Sequence, residues 1–557
     1  MQATPPHLRI STDFTPKIIT IFKNGYTGKD LQNDLIAGLT VAIVALPLAM
    51  ALAIASGASP DKGLVTSIIA GFMISFLGGS RVQIGGPTGA FVVVVFNVIA
   101  QHGYDGLVLA TLMAGIILIA AGYARLGRVI KYIPYPVVTG FTAGIAVIIA
   151  SSQVKDFLGL KIEKVPADFL PKWASYFGHL DTLQMATLGL GLAALAIIIV
   201  LRKVAPKLPG YLISVLAATA AATLLHLPVE TIGSRFPSIP AGLPMPAWPE
   251  ISMEKVQEVL PSAFTIAFLA GIEALLSAVV ADGMTGFRHR SNQELVGQGV
   301  ANIASAFFGG LPATGAIART ATNIRSGGRS PMSGMFHAVF LLVFMLFASD
   351  AMKFVPMAAL AAILFVVAWG MSEMHRFIHI FKLGGTDRLV LILTFALTVL
   401  VDLTVAIGVG VTLASLFFMA QMSKSVEIRS GQPSPENAPE QEDMRRDLPA
   451  GVEVFEIAGP VFFGVASELL DTLKRMGVMP KTLIVRMRYV PFLDASGVAA
   501  LEDMVKQCAA NGTRVIFSAV QTQPRAILSR AHLGMDDAGV RYAKHYDEAV
   551  EMAKEIN

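Results

Sequence analysis

The chain has 557 residues, of which 54% are hydrophobic and only 15% charged, with a mean hydropathy of +0.63. Soluble domains carry about 25% charged and 45–50% apolar residues, so the composition excludes a string of ordinary soluble domains. A single cysteine excludes a disulfide framework and any Cys-based zinc or iron–sulfur centre. The net charge of +4 is small enough to come from loop residues alone, without nucleic acid as a partner.

Residues 1–34 read as a cytoplasmic N-terminal segment. Their opening MQATPPHLRI lacks the basic-then-apolar pattern of a cleaved signal, so the first helix is expected to stay in the protein. From 35 to 422 apolar runs follow one another with short interruptions, and this stretch has room for roughly 12–14 crossings at ~20 residues each. The clearest spans are 35–55, 64–78, 105–123, 133–152, 183–201, 210–226, 261–281, 330–348, 356–371, 388–402 and 404–422. Basic residues gather in alternate loops: Arg125, Arg128 and Lys131; Arg202, Lys203 and Lys207; Arg288 and Arg290; Arg376, Lys382 and Arg388. By the positive-inside rule these loops and both termini face the cytoplasm, giving a multi-pass protein of the lipid bilayer. Lys155, Lys161, Lys164 and Lys172 break the parity, but Asp156, Glu163 and Asp168 are interleaved with them.

Two stretches repeat. Phe76–Phe91 reads FLGGSRVQIGGPTGAF and Phe307–Ile317 reads FFGGLPATGAI. Their separation, roughly 230 residues, is about a half-domain. Thr88–Ala100 and Thr314–Ile324 are too short to span ~30 Å as continuous helices. Each therefore reads as a half-helix entered from non-helical backbone, which a bilayer tolerates only where it lines a cavity. Thr88 and Thr314 are candidate N-caps. The free N–H groups and the dipole at two facing helix starts make an anion site near the midplane without a metal. Arg319, near the start of the second half-helix, adds a guanidinium at membrane depth. Glu273 lies midway along an apolar run. It can carry a proton between the two sides, or bind Na⁺ with Ser277 one turn later. Asp402 is a candidate cap where two helices meet.

The segment 423–449 is polar and proline-containing and reads as a linker. From 450 to 557 strand-like Val452–Ile457, Leu483–Met487 and Val515–Ser518 alternate with helical stretches, the last beginning at Gln523, as in a small α/β domain.

The DLIAGLTVAIVALPLAMALAIASG first helix, GGPTGAF, SNQELVGQGVANI, FFGGLPATGAIARTATN and the domain after the linker together resemble the SulP (sulfate permease) family of anion transporters. The resemblance implies a polytopic α-helical fold of fourteen segments in a seven-plus-seven inverted repeat, with two half-helices, core and gate domains and a cytoplasmic STAS domain. It implies a homodimer in a bacterial inner membrane, open to a STAS-domain protein partner, and no cofactor beyond a coupling ion. It places substrate against Leu48, Ala49 and Leu52 of the first helix, Thr88, Gly89, Ala90 and Phe91, and Ala316, Ile317, Ala318 and Arg319. Many members have Gln where Leu48 stands. The ALPLAMALAIASG version is similar to bicarbonate and C4-dicarboxylate carriers, and the bicarbonate type has Asp at the position of Glu273 and no Arg at 319. The combination here is similar to proton-coupled members, which ranks H⁺ above Na⁺, and a dicarboxylate such as fumarate or succinate above sulfate and bicarbonate.

FLDASG at 492–497 resembles the loop of anti-sigma-factor antagonists in which the position of Ser496 is phosphorylated, although a helix cap alone accounts for the pattern. Glu373, His375 and His379 have metal-ligand spacing on a single helix, too few for a complete site. No GxxxxGK[ST] loop and no nucleophile–base pair is present, so neither ATP-driven transport nor an enzyme is indicated. The classes left open beside a carrier are an anion channel and a sensor acting through the soluble domain.

Overall fold

The computed structural model describes residues 13–556 apart from 129–132, 164, 167, 207, 238–239, 241, 402, 431–447, 466–478, 532 and 534–539. Lys131, Lys164, Lys207, Asp402, the first residues of the N-terminus and most of the predicted linker lie outside the described residues. The chain forms two units, 1–411 and 412–557.

In the first unit the helices are α1 (Lys17–Lys23), α2 (Gly28–Ala55), α3 (Pro60–Leu77), α4 (Gly89–Tyr123), α5 (Tyr135–Leu158), α6 (Phe169–Gly178), α7 (Met185–Val204), α8 (Gly210–Leu224) and α9 (Ile232–Arg235). They continue as α10 (Met253–Thr285), α11 (Ser291–Phe307), α12 (Ile317–Arg325), α13 (Pro331–Met352), α14 (Met357–Met371), α15 (Met374–Leu383), α16 (Gly385–Leu400) and α17 (Leu403–Lys424), which runs on into the second unit. Two short strands, β1 (Gly85–Gly86) and β2 (Thr314–Gly315), precede α4 and α12. Among the described residues nine helices are long and apolar enough to cross a membrane.

α4 is two helices in line, broken at Gly103, whose backbone (φ 71°, ψ −179°) only glycine adopts without strain. Its first part is the half-helix expected from the sequence, and its second part is the span predicted at 105–123. With α4 counted as two, α2, α3, α4, α5, α7 and α8 make seven segments, and α10, α11, α12, α13, α14, α16 and α17 make the second seven. Packing follows the repeat. α2 and α3 lie on α13 as α10 and α11 lie on the second part of α4, while α14 packs on α7 as α5 packs on α16. The elements thus sort into a core group (α2, α3, α4, α10–α13) and a gate group (α5, α7, α8, α14, α16, α17).

Small residues set the core spacing. A Cβ on Gly115 of α4 would lie 2.6 Å from the Gly299 carbonyl oxygen of α11, and one on Gly299 would lie 2.5 Å from that of Gly115. Only glycine at both positions lets these backbones meet.

The second unit carries a five-stranded sheet in the order β3 (Glu427–Ser430), β4 (Val452–Ala458), β5 (Thr482–Tyr489), β6 (Arg514–Ser518), β7 (Val540–Ala543). β3 pairs antiparallel with β4, and the other pairs are parallel. Parallel strands are buried on both faces. Phe455, Leu483 and Val485 face a layer with Leu501, Met504 and Cys508 of α18 (Ala495–Ala510). Val454, Ile484 and Ile516 face Ala549 and Ala553 of α20 (Tyr546–Ile556). Between them α19 (Thr522–Leu528) follows β6. Part of the stretch read as linker, Glu427–Ser430, is the antiparallel edge strand of this sheet, and β7 was not anticipated.

Candidate anion site

The two broken helices are joined to each other through backbone. Gly85 pairs with Gly315 and Gly86 with Thr314. One strand turns into α4 at Thr88 and the other into α12 at Ala316, the residues in extended conformation just before each helix. Thr88 and Ala316 are therefore equivalent, and the repeated Thr-Gly-Ala triplets are offset by two residues in structure. In α4 the first N–H groups, those of Gly89 and Ala90, have no carbonyl one turn back to bind; Phe91 donates to the Thr88 carbonyl at 3.2 Å. In α12 the corresponding groups belong to Ile317, Ala318 and Arg319, since Thr320 already donates to the Ala316 carbonyl at 2.9 Å and Ala316 donates to Ile84 at 2.8 Å.

One face of α10 holds this hub. Thr314 Oγ1 donates to the Ala270 carbonyl at 2.8 Å, Thr88 Oγ1 donates to Glu273 Oε2 at 2.6 Å, and Gln83 Nε2 donates to the Ala274 carbonyl at 3.2 Å. Ser277 Oγ lies 3.3 Å from Thr320 Oγ1, which also accepts the Ile84 N–H at 3.0 Å. Positions 270, 273, 274 and 277 are the i, i+3, i+4, i+7 stripe of a single helix. One expectation changes here. Neither threonine caps with its side chain: Thr88 starts the first half-helix but spends its hydroxyl on Glu273, and Thr314 lies in β2. Ser277, one turn after Glu273, faces Thr320 of the second half-helix.

Arg319 is 2% exposed. Its Nη1 donates to Ser67 Oγ at 3.3 Å and its Nη2 to the Pro87 carbonyl at 3.2 Å, so the guanidinium crosses from the second repeat to the residue before Thr88. Its Nε has no partner among the described residues. It lies against Gly86, where a Cβ would fall 2.4 Å from Nη1 and where φ is +151°. The groups on its nitrogens are neutral, and among the described residues no carboxylate is in contact with it.

Leu48, Ala49 and Leu52 of α2 and Ala90 and Phe91 belong to one buried apolar cluster. Gly89 is buried, with Met371 Sδ and Ile149 Cδ1 of the gate group against it, whereas Ile317 is 39% exposed and Ala318 is exposed. Among the first residues of the two half-helices, Ile317 and Ala318 are thus more exposed than Gly89 and Ala90.

A polar ladder in SNQELVGQGVANI supports both entry loops. Buried Glu294 accepts N–H bonds from Gly79 at 2.8 Å and Ser80 at 2.9 Å in the first repeat, and from Gln298 Nε2 at 2.8 Å. Asn302, two turns on, exchanges two bonds with Ala313 in the second repeat, 2.8 Å and 2.9 Å. Asp34 of α2 accepts from the N–H groups of Arg329 and Ser330 and from the Ser330 hydroxyl, closing the exit of α12. Polar residues spaced by four in an apolar helix were the available signal for this ladder.

In the second unit Ser496 is exposed in the first turn of α18, while Asp494 caps that turn by accepting the Gly497 N–H at 2.8 Å. Glu373 pairs with Arg376 at 2.8 Å.

Comparison with known proteins identifies the family and the fold. Residues 31–394 match the model of the sulfate permease family and residues 446–542 that of the STAS domain. The chain is 41% identical to Bacillus subtilis YvdB, which bears a provisional sulfate-transporter name, over 94% of this chain and 98% of that protein. It is 32% identical to the bicarbonate transporter BicA of Picosynechococcus over 91% of both chains. The transmembrane domain of a cyanobacterial BicA superposes with a TM-score of 0.61 at 34% identity, covering 69% of this chain and 98% of that one. Murine Slc26a9, an anion transporter in its inward-facing state, shares the fold with a TM-score of 0.86 at 18% identity, covering 100% of this chain and 96% of that one.

Proposed function

Because the chain belongs to the sulfate permease family of anion transporters, we propose that it is a secondary carrier that brings a small anion across the membrane together with a proton. The single observation that carries this reading is the hydrogen bond between Thr88, at the start of the first half-helix, and Glu273. When Glu273 is ionised, its carboxylate is the counter-ion of that positive helix end. A substrate anion then meets a negative charge at its own site. Protonation removes that charge, so proton and anion load together, and by linkage each strengthens the other, typically by 1–3 kcal/mol or about 5- to 150-fold.

The anion's oxygens are bound by the free N–H groups at both half-helix starts, with Arg319 supplying net positive charge and Leu48, Ala49, Leu52 and Phe91 the apolar wall. The core group moves against the gate group around this fixed site. A C4-dicarboxylate such as fumarate or succinate is the favoured substrate, on the presence in the sequence of Glu at 273 together with Arg at 319. Sulfate and bicarbonate come next, supported by the names of the relatives above. Sodium coupling through Glu273 and Ser277 is the alternative ion reading. The carrier is read as a homodimer of the bacterial inner membrane with both termini cytoplasmic.

The Glu273→Gln variant tests the coupling role: it loses uptake driven by a pH gradient, while counterflow exchange survives. Proton-driven uptake equal to that of the unmodified protein would remove Glu273 from coupling. The Arg319→Ala variant weakens anion binding, and unchanged affinity for every anion of the set would remove Arg319 from the site.

A further inference from the structure

One buried cation lies away from the central site. Lys172, on the short helix α6 between α5 and α7, is 5% exposed. Among the described residues no carboxylate pairs with its ammonium, and Asp168, one turn earlier, is exposed. The Nζ atom lies instead over the ring of Phe96, 5.9 Å from its centroid, within cation–π range. Phe96 belongs to the first half-helix, seven residues beyond Gly89. At 1.5 Å per residue it stands about 10 Å along the helix axis from the anion-binding start.

The two partners sit on opposite groups. α6 packs on α5 and α16 of the gate, whereas the first half-helix belongs to the core. The contact therefore crosses the seam that separates when the carrier opens on this side. With Lys172 only 5% exposed in that contact, the seam is shut at this point.

We propose that Lys172 is the entry cation of the closed side: when the seam opens, its ammonium leaves the Phe96 face and draws the anion toward the half-helix start. The ligand class is the transported anion itself, so this inference rests on the transport reading above. An unpaired ammonium in a cleft with low-dielectric walls focuses the field along the path and raises the rate of anion entry. In the closed state Phe96 holds the same charge without an internal carboxylate that would compete with the substrate.

The test uses the full-length protein in proteoliposomes of uniform orientation, with fumarate, sulfate and bicarbonate as separate probes. KM is measured from each side for Lys172→Met, Lys172→Gln and Lys172→Arg, with thermal midpoints recorded alongside. We expect the first two to raise KM on the α6 side about tenfold, the low end of such steering effects, to leave KM on the opposite side unchanged, and Lys172→Arg to restore the asymmetry. Unchanged KM on the α6 side, or an equal rise on both sides, in a variant with an unshifted thermal midpoint would overturn the proposal. Failure of the unmodified protein to take up any of the three probes would instead overturn the transport reading, and this inference with it.

Discussion

At the scale of single residues, Gly86 shows how much the site depends on what a side chain would occupy. Its φ of +151° is one that other residues adopt only with strain, and a Cβ there would press on the Arg319 guanidinium. Gly86→Ala is expected to cost about 1–3 kcal/mol and to displace Arg319 from Pro87 and Ser67. Its anion affinity should fall along with its thermal stability, whereas Gly189→Ala, at a glycine with open space around its Cβ position, should change neither. Isothermal binding and thermal melts of the two variants in detergent check this. Cys508 offers a cleaner reporter. It is fully buried under the sheet of the second unit, and burial pushes its thiol up to about 11. Because the thiolate is the reactive form, iodoacetamide at pH 8 should leave Cys508 unmodified in the native protein and alkylate it once the second unit is unfolded. Mass spectrometry of the intact chain reads both states.

At the scale of elements, the ladder on α11 is the strut of the site. Glu294→Ala leaves the N–H groups of Gly79 and Ser80 buried without an acceptor, at about 1–3 kcal/mol each. The detergent melting midpoint should fall strongly, and Glu294→Gln, which keeps one carbonyl oxygen, should fall less. Equal midpoints for all three proteins would show that the loop is held by other bonds. The half-helices themselves were legible in the sequence, because paired Gly/Pro interruptions at matching positions have few other causes. What was not legible is the way they meet. The strand pair uses Gly85 and Gly86 but Thr314 and Gly315, so the repeated Thr-Gly-Ala triplets do not superpose. The capping role expected of Thr314 fails for that reason. Likewise Thr88 has the right type and place for a cap, yet a carboxylate 185 positions away takes its hydroxyl. Nothing local in a sequence encodes such a partner. The edge strand Glu427–Ser430 was hidden similarly, by its polar composition beside a linker-like run.

At the scale of the whole molecule, the low charge content that first marked a membrane protein also leaves few buried charged groups to weigh as candidates. Glu273, Arg319 and Lys172, on α10, α12 and α6, differ in their surroundings. Glu273 is bonded to a helix start, Arg319 is buried across the two repeats with no carboxylate in contact among the described residues, and Lys172 lies on an aromatic face between the two groups. Reciprocal coupling through Glu273 carries a further expectation, that anion affinity rises as pH falls in the unmodified protein and is flat with pH in Glu273→Gln. Equilibrium binding at several pH values checks it.

The central claim is proton-coupled anion carriage, and uptake into proteoliposomes containing only this protein tests it most directly. Fumarate, succinate, sulfate, bicarbonate, nitrate and chloride would each be offered with an inward proton gradient, with an inward Na⁺ gradient, and with neither. The predicted result is saturable accumulation of a dicarboxylate, or failing that of sulfate or bicarbonate, driven by the proton gradient alone. Accumulation driven only by Na⁺, or gradient-independent unitary currents in place of saturable flux, would contradict it.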